Sequence, residues 1–387
     1  MTIADTLSRL AETAAGPFER AVSSPPTLYT DPAILDLEIR SIFEKDWHCP
    51  GLAADIPEPG DYVTFSIGDQ QVFSMRQKDG SIRSFSNVCR HRMMQLLEGS
   101  GNTKVVVCPY HAWSYNQDGT LRGAPRMERS EGFSKADHCL PEVRTEVWNG
   151  WIYLTLNDDA PAVADMLAPI NDVVAQYRMD RYVPCVTQDH VWQTNWKLLT
   201  ENFMEGYHLP VAHKSTVGKW FGLEDTVFPD NVSPHYTWQT FTKDETATYG
   251  RAADTNDYLK NEWRYTTFMP TVFPAHMYIL APDHCWYLSL RPKGVGEVHV
   301  RFGVALAPER LDAFPNQKAA LKDLVSFFDH VNEEDRFVVE GIYKGAHGKL
   351  AKAGPLNWLE REIHDFQKYL ARHLCTPRET TAKVAAE

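Results

Sequence analysis

The sequence has no long apolar run and no excess of positive charge. Its 387 residues include 39 Lys and Arg against 51 Asp and Glu, which gives a formal net charge of −12. This balance argues against general nucleic-acid binding, because contacts to phosphates require clustered Lys and Arg. It also argues against docking on an anionic membrane, and no stretch approaches the roughly 20 apolar residues of a membrane span. We therefore expect neither a nucleic acid nor a membrane as a partner.

Cysteine is scarce and odd in number. Seven Cys are spread along the chain, which is not the pattern of a secreted disulfide framework. Residues 1–21 carry acidic side chains in an amphipathic helical pattern and lack the basic start and apolar run of a signal peptide, so we expect a cytoplasmic protein. Five isolated Cys are interpreted as small buried apolar residues: Cys49, Cys139, Cys185, Cys285 and Cys375.

The hydrophobic pattern changes along the chain and predicts an α+β protein of two or so domains. Residues 1–46 form a segment with helical periodicity. Residues 47–155 contain short alternating runs, such as DYVTFSI, between Gly, Asp, Asn and Pro residues, which is typical of a small all-β module. Residues 156–375 mix helix and strand patterns, and residues 376–387 predict a flexible tail.

Two Asp-Gly pairs inside the all-β module predict hairpin turns. The first is Asp79-Gly80 in RQKDGSIRSF, and the second is Asp118-Gly119 in YNQDGTLRG. Both stand between short apolar runs, where an Asp-Gly pair favours a tight turn.

Two Cys–His pairs form the first group of candidate ligands: Cys89 with His91, and Cys108 with His111. Thiolate and imidazole are ligands both of zinc and of iron–sulfur clusters. A zinc ribbon usually shows Cys-x-x-Cys pairs or a His-x₃₋₅-His pair, whereas each half here offers one Cys and one His. A Rieske [2Fe–2S] cluster needs this mixture, two Cys on one iron and two His on the other. The spacing favours the cluster, with a structural zinc site as the alternative.

A second group lies in NWKLLTENFMEGYHLPVAH, residues 195–213. We expect a helix through Leu209 that Pro210 ends, because proline cannot continue the hydrogen-bond ladder. His213 would follow on the turn and could fold back beside His208, giving two corners of a 2-His-1-carboxylate iron site. The other polar side chains predicted on the face of His208 are Glu201, Asn202 and Glu205.

Both groups resemble motifs of the ring-hydroxylating, non-haem iron oxygenases of the α-subunit type. CRHR and CPYHAW match the Rieske motif of that family, and ENFMEGYH…H resembles its catalytic-iron motif. The resemblance implies a mononuclear Fe(II) bound by His208 and His213. It implies the cluster ligands as well, with the buried iron on two thiolates and the outer iron on two imidazoles: Cys89, Cys108, His91 and His111.

The third iron ligand must be a carboxylate from further along the chain. FFDHVNEEDRFVVEGIYKG, residues 327–345, resembles the late acidic helix of the family, and its register points to Asp335. Glu333 and Glu334 remain alternatives. The resemblance also implies that Glu205 bridges His208 to His111 of a neighbouring subunit, with Asn202 beside it at the catalytic iron.

The resemblance implies a helix-grip catalytic domain, a curved antiparallel sheet wrapped around helices, and a head-to-tail homotrimer. The chain has no G-x-G-x-x-G fingerprint after a strand and no flavin motif. A separate NAD(P)H-dependent reductase, with or without a ferredoxin, must therefore supply the electrons that O₂ chemistry on a small-molecule substrate requires. Arg90 and Arg92 lie beside the cluster motif and are interpreted either as part of the reductase contact or as structural donors.

The substrate is the least determined feature. Many relatives carry Asp at the position of Glu205, and some relatives with Glu attack quaternary ammonium compounds. We therefore expect oxidative N-demethylation of a small betaine, with aromatic-ring hydroxylation or O-demethylation as alternatives. Aromatic residues near the iron motif, such as Trp220 and Phe221, fit an aromatic cage for a cation, stacking on an arene, or core packing. An electron-transfer Rieske protein with an inactive second site is the alternative of another class.

Overall fold

The computed structural model describes residues 1–219, 221–243 and 250–375. Trp220 and the predicted tail, residues 376–387, lie outside the described residues. The chain combines helices with antiparallel sheets, as the sequence predicts for an α+β protein. No helix in the described ranges is long and apolar enough to cross a membrane.

The first sheet has seven antiparallel strands in the order β1-β10-β9-β4-β3-β2-β5. Its strands are β1 His48–Leu52, β2 Asp61–Ile67, β3 Gln70–Arg76, β4 Ile82–Ser86, β5 Ser100–Asn102, β9 Glu142–Trp148 and β10 Trp151–Thr155. A three-stranded sheet stands beside it and comprises β6 Val106–Val107, β7 Ser114–Tyr115 and β8 Leu121–Gly123. The all-β module expected from the alternating runs is confirmed.

Both Asp-Gly hairpins are confirmed. The first turn joins β3 to β4, and the second joins β7 to β8. Gly80 and Gly119 have φ values of +86° and +81°, a left-handed conformation that glycine adopts without the steric cost of a Cβ atom.

The second sheet has six antiparallel strands in the order β11-β16-β15-β14-β13-β12. Its strands are β11 Val183–Trp192, β12 Tyr236–Thr242, β13 Thr266–Val272, β14 His276–Leu280, β15 His284–Gly294 and β16 Glu297–Leu306. One face of this curved sheet packs on helices through a large apolar core, in which Trp286 and Phe302 of the sheet meet Phe328 of a long helix. The curved antiparallel sheet that the resemblance implies is confirmed.

Ten α-helices lie in the described ranges. They are α1 Ile3–Ala15, α2 Pro26–Thr30, α3 Pro32–Glu38, α4 Val163–Met166, α5 Ala168–Gln176, α6 Trp196–Phe203, α7 Leu209–Ala212, α8 Pro308–Asp312, α9 Gln317–Ala346 and α10 Arg361–Leu374. The N-terminal helix α1 packs along α10. A buried ion pair between Lys197 Nζ and Glu38 Oε1, 2.6 Å apart, ties α6 to the end of α3. This pair fixes α6 in the core, close to the second group of candidate ligands.

The isolated cysteines do not all follow the expectation of burial. Cys49 and Cys285 are buried, whereas Cys139, Cys185 and Cys375 are partly exposed. The prediction was therefore wrong for these three: Cys139 and Cys375 lie at the ends of helical segments, and Cys185 lies in β11 where the pairing with β16 is irregular.

Candidate metal centres

The four predicted cluster ligands lie at one edge of the all-β module. The thiols of Cys89 and Cys108 are buried, while the rings of His91 and His111 are exposed at the tip, with centroids 4.7 Å apart. The ring of His91 stacks on Trp113 with a centroid distance of 4.9 Å and an interplanar angle of 8°. Like ligands are thus grouped, with thiols inside and imidazoles outside.

The two ligand loops are built alike. The amide of Cys89 donates to the carbonyl of Met94 at 2.8 Å, and the amide of Cys108 donates to the carbonyl of Trp113 at 2.7 Å. Each loop contains one residue with a positive φ, Met93 and Ala112, both at +57°. The equal geometry explains why Cys-x-His and Cys-x-x-His can present equivalent ligand pairs.

This donor set fits a [2Fe–2S] cluster better than one zinc ion. A tetrahedral zinc ion holds its ligands at about 2.0–2.3 Å, so all four donor atoms would have to converge on one point. Among the described residues, the only group of three or more ligand atoms within 4.8 Å of one another is elsewhere in the chain. Burial and the neighbouring His111 lower the pKa of His91, which favours the neutral imidazole that a metal needs.

The second site brings together His208, His213 and Asp335, whose ligand atoms all lie within 4.8 Å of one another. Oδ1 of Asp335 is 3.0 Å from Nε2 of His213 and 3.6 Å from Nε2 of His208. Two imidazoles and one carboxylate that occupy one face of a metal position form the donor set of a non-haem iron site. The opposite face of such a site stays open for O₂ and substrate.

The backbone around this site differs from the predicted helix. Helix α6 ends at Phe203, and His208 is the N-cap of the short helix α7, which His213 closes at the other end. The prediction of one helix through Leu209 was therefore wrong, and Pro210 begins a helix instead of ending one. Between the two helices, Gly206 leaves room for Leu223, because a Cβ atom there would lie 3.1 Å from Leu223 Cδ2.

Each candidate histidine ligand is braced by a second carboxylate. Nδ1 of His208 lies 2.5 Å from Oε1 of Glu205, and Nδ1 of His213 lies 2.8 Å from Oε2 of Glu334. Such bonds orient a histidine and leave Nε2 for the metal. Burial alone would lower the pKa of His213, but Asp335 and Glu334 outweigh it and raise that pKa to about 9.

This geometry gives the three acidic candidates of α9 different environments. Asp335 faces both histidines, Glu334 bonds His213 and the hydroxyl of Thr216, and the side chain of Glu333 is 79% exposed. The role of Glu334 as a brace was not anticipated, since adjacent acids on a helix carry no signal that tells ligand from support.

A pocket of about 760 Å³, including its opening to solvent, lies beside the candidate iron site. Asn202 and Glu205 line it, as predicted for the catalytic surroundings, and Asn202 Nδ2 lies 3.5 Å from His208 Nε2. Trp286 stacks between Phe203 and Phe328, at 5.6 Å and 6.2 Å between ring centroids. Five aromatic side chains line the pocket: Phe203, Phe221, Phe241, Trp286 and Phe328.

Lys243 is the only Lys or Arg among the described residues that line this pocket. Its Nζ lies 5.4 Å from the ring centroid of Phe221, and burial lowers its pKa to about 8. The sequence gives no signal for Lys243, because an isolated lysine after a strand has no characteristic spacing.

Comparisons with known proteins match both parts of the chain. The family model for the catalytic domain of the ring-hydroxylating alpha subunit matches residues 173–376, and the Rieske [2Fe-2S] domain model matches residues 46–144. A solved quaternary ammonium Rieske monooxygenase has a TM-score of 0.81 over 94% of this chain and 98% of that chain, at 23% identity. A structural likeness at this identity supports the fold.

Two relatives show closer sequence similarity. The glycine betaine monooxygenase oxygenase subunit of Chromohalobacter salexigens is 37% identical over 215 residues, which are 55% of this chain and 48% of the relative. The carnitine monooxygenase oxygenase subunit of Acinetobacter baumannii is 30% identical over 240 residues, 59% of each chain. The chain thus spans about half to three fifths of the length of these curated relatives.

Proposed function

The chain belongs to the ring-hydroxylating alpha-subunit family, and from this premise we propose that it is the oxygenase component of a multicomponent Rieske monooxygenase. Its reaction is the hydroxylation of an N-methyl carbon of a small betaine, followed by loss of formaldehyde. The observation that carries this proposal is the pocket beside His208, His213 and Asp335, which combines an aromatic lining with Lys243. The names of the two relatives support the same substrate class.

The cofactors of the chain are a Rieske [2Fe–2S] cluster and a mononuclear iron. We assign the iron to His208, His213 and Asp335. The ligands assigned to the cluster are Cys89, Cys108, His91 and His111. When bound, the iron supplies O₂ activation and the cluster supplies stored electrons.

The pocket suits a zwitterion with a cationic and an anionic end. Aromatic faces attract a quaternary ammonium group through their quadrupole, by about 0.5–2 kcal/mol per ring. The ammonium group of Lys243 would pair with the carboxylate at the other end of the substrate. These two contacts would turn an N-methyl group toward the iron ligands, and the apolar walls would exclude water from the reacting carbon.

The residues around the metal positions have separate roles in this proposal. Glu205 and Glu334 hold the ring planes of His208 and His213 through their Nδ1 atoms. Asn202 stands on the pocket side of His208 and can donate a hydrogen bond to a polar group of the reactants.

We propose a head-to-tail homotrimer in which Glu205 also meets His111 of the next subunit. Exposed apolar side chains surround both ends of this contact, a pattern that marks interaction surfaces. Near the cluster they are Met93 and Tyr110, and near His208 they are Tyr207, Val211 and Phe337. Such a ring is a closed heterologous assembly.

The electrons come from a separate NAD(P)H-dependent reductase, with or without a ferredoxin. The proposed contact is the His91 side of the exposed cluster edge, with Arg90 and Arg92 beside it, because His111 meets the next subunit in the proposed trimer. Because NAD(P)H is held inside cells, we also propose a cytoplasmic location.

A substrate panel with a surrogate reductase tests this function. Glycine betaine, carnitine and choline are compared with naphthalene and anisole, and formaldehyde or hydroxylated product is scored against NADH consumed. Formaldehyde from a betaine in proportion to NADH supports the proposal, and coupled turnover of arenes alone contradicts it. Metal analysis separates the oxygenase from a pure electron carrier. The oxygenase would contain about three iron atoms and two sulfides per chain, and the carrier about two iron atoms and two sulfides.

Hydroxylation or O-demethylation of an arene is the second candidate. The five aromatic side chains of the pocket favour it, since they would also stack on an aromatic substrate. Lys243 weighs against it, because a buried ammonium group gains no ionic partner from an uncharged arene.

A further inference from the structure

A second cavity shares a wall with the substrate pocket. Its volume is about 1020 Å³, including a mouth open to solvent. Three residues line both cavities and form the partition between them: Asn202, Glu205 and His208. Both linings mix apolar and titratable side chains. Beyond the partition, the second cavity adds titratable side chains from three parts of the chain: Tyr29, Glu201, Lys352 and Glu360. We call it the polar cavity.

Glu201 is the buried acid of the polar cavity. The residue is 8% exposed, and its two carboxylate oxygens lie 3.0 Å and 2.8 Å from the hydroxyl oxygen of Tyr29. A tyrosine hydroxyl donates one hydrogen bond only. The carboxyl group of Glu201 can therefore accept that bond on one oxygen and still carry a proton on the other.

Burial and the surrounding charges place the pKa of Glu201 near neutral pH. Burial raises the pKa of Glu201 to about 7, against the opposing effects of Tyr29 and Lys197, and Glu360 raises it further. Lys197 is itself neutralised by Glu38 at 2.6 Å. From α9, the residues facing the cavity are apolar: Val338, Ile342 and Ala346.

The proposed reaction consumes protons that must come from solvent. Inserting one atom of O₂ into a C–H bond and releasing the other as water uses two electrons and two protons. The reductase supplies the electrons through the cluster, and the protons need a path of their own. The polar cavity reaches solvent and touches the same partition.

We infer that the polar cavity is the proton entrance of the oxygenase, and that Glu201, hydrogen-bonded to Tyr29, passes protons from solvent to the Glu205 side of the partition. The inference rests on the proposed function. In each transfer the O–H bond of Glu201 breaks, and the proton passes to cavity water or to the carboxylate of Glu205. Glu201 regains a proton from solvent at the mouth beside Glu360, and no group is oxidised or reduced.

Three variants test the relay. Glu201→Gln keeps the shape of the side chain but cannot release a proton, and Glu201→Asp keeps the acid and should retain part of the rate. Tyr29→Phe removes one oxygen atom and should raise the pKa of Glu201, because the tyrosine hydrogen bond stabilises the carboxylate. Glu19→Gln, an exposed acid near the N-terminus, is the matched control.

Kinetics should separate these variants. Proton transfer by a positioned group contributes about 10²–10⁴-fold, so Glu201→Gln should lower kcat by at least about tenfold with KM unchanged. In the wild type, kcat should decrease as the pH rises through about 7. In Tyr29→Phe this decrease in kcat should occur at higher pH. In Glu201→Gln the pH dependence of kcat in this range should be absent. The control should keep the wild-type profile and solvent isotope effect.

Infrared titration of the resting protein gives a readout that does not depend on turnover. Other buried acids, such as Glu362, add their own carbonyl bands, so the wild-type spectrum minus that of Glu201→Gln is used to isolate the band of protonated Glu201. This difference band should vanish as the pH rises through about 7, and the same band should titrate at higher pH in Tyr29→Phe. Identical pH profiles, isotope effects and infrared titrations in the wild type and Glu201→Gln would overturn the relay. If betaines are not substrates but an arene is, the same kinetics on that arene test the relay, so the two proposals can fail separately.

Discussion

Oδ1 of Asp335 lies 3.0 Å from Nε2 of His213, although 122 positions separate the two residues in the chain. Helix α9 brings this carboxylate to the short helix α7, whose two ends carry the histidines. The neighbouring Glu334 contacts the opposite nitrogen of the same ring. Two adjacent acids of one helix thus meet the two nitrogen atoms of one imidazole, and their roles differ.

Substitutions of these acids should affect iron content in a graded way. Asp335→Ala should lose the mononuclear iron and keep the cluster, so that iron falls from about three to about two atoms per chain while sulfide stays at about two. Glu334→Gln should weaken iron binding by about 10–100-fold, as expected for a group that orients a ligand. Glu333→Gln should change neither. Equal iron loss in the Glu333 and Asp335 variants would contradict the assignment.

The potential of the cluster should depend on Tyr115. Its hydroxyl oxygen lies 3.3 Å from Cys89 Sγ and accepts a hydrogen bond from the amide of Arg90. A hydrogen bond donated to the thiolate stabilises the reduced cluster, and Tyr115→Phe removes this donor. The loss of about 1 kcal/mol corresponds to a potential lower by roughly 40 mV for a one-electron couple. Redox titration measures the cluster potential. Tyr258→Phe, between β12 and β13 of the six-stranded sheet, serves as the control. An unchanged or higher potential in Tyr115→Phe would contradict a hydrogen bond from Tyr115 to Cys89.

Glu205→Gln should separate metal binding from turnover. The amide can still hold a hydrogen bond near His208, so both metals should remain bound. In the proposed trimer, the variant loses the charge that would link His208 to the neighbouring subunit, and turnover should fall by at least about a hundredfold. The measurement is metal content together with the rate at which a pre-reduced cluster is reoxidised in the presence of substrate and O₂. Glu205→Asp should keep part of the rate, and a Gln variant with normal coupled activity would exclude the bridge.

Lys243→Met should discriminate between substrates with and without a carboxylate. A hydrogen bond to a charged group is worth about 1.5–3 kcal/mol, so KM for glycine betaine or carnitine should rise roughly 10–150-fold. Choline, which has no carboxylate, should keep its KM. Direct calorimetry of substrate binding to the metal-free protein gives the same comparison without turnover. Equal effects on betaine and choline would show that Lys243 acts on the pocket as a whole.

Stability should fall with rising pH because of Glu362 on α10. This residue is 1% exposed, and burial followed by the charge of Asp365 raises its pKa well above the usual value of 4.5. Its contribution is fully present below about pH 4.5 and is lost as the pH rises toward the folded-state pKa, because the unfolded chain releases the proton first. The free energy of unfolding should lose up to about 1.4 kcal/mol per pH unit in that window.

Glu362→Gln tests this dependence. The variant should melt at a higher temperature than the wild type at pH 8, and the difference should shrink as the pH approaches 5. Glu128→Gln, an exposed acid, should follow the wild type at every pH. A Gln variant that is less stable than the wild type at pH 8 would mean that the carboxylate has a stabilising partner.

Local patterns in the sequence were sufficient to predict the two loops that carry the proposed cluster ligands. Each ligand pair lies on one short loop, and each loop is closed by hydrogen bonds within six residues, as between Cys89 and Met94. The hairpin at Gly80 is local in the same way. For such features the chain's own spacing and turn chemistry restrict the backbone, so motif and structure coincide.

The iron site was predicted in part. The sequence named His208 and His213, and the resemblance pointed to Asp335, which the structure brings beside them. The predicted helix through Leu209 was wrong, because helical spacing alone did not reveal the break after Phe203.

Residues close together in the chain were enough to predict the change from helical to strand-rich segments, the two Asp-Gly hairpins and the two loops with a Cys–His pair each. Only the tertiary structure decided that Asp335 faces the histidines while Glu334 braces one of them, that Lys243 reaches the aromatic pocket, and that Glu201 lines a separate cavity. Each of these depends on how far one helix or strand is rotated and shifted against another. That rotation is set by the packing of the whole core, and no local pattern encodes it.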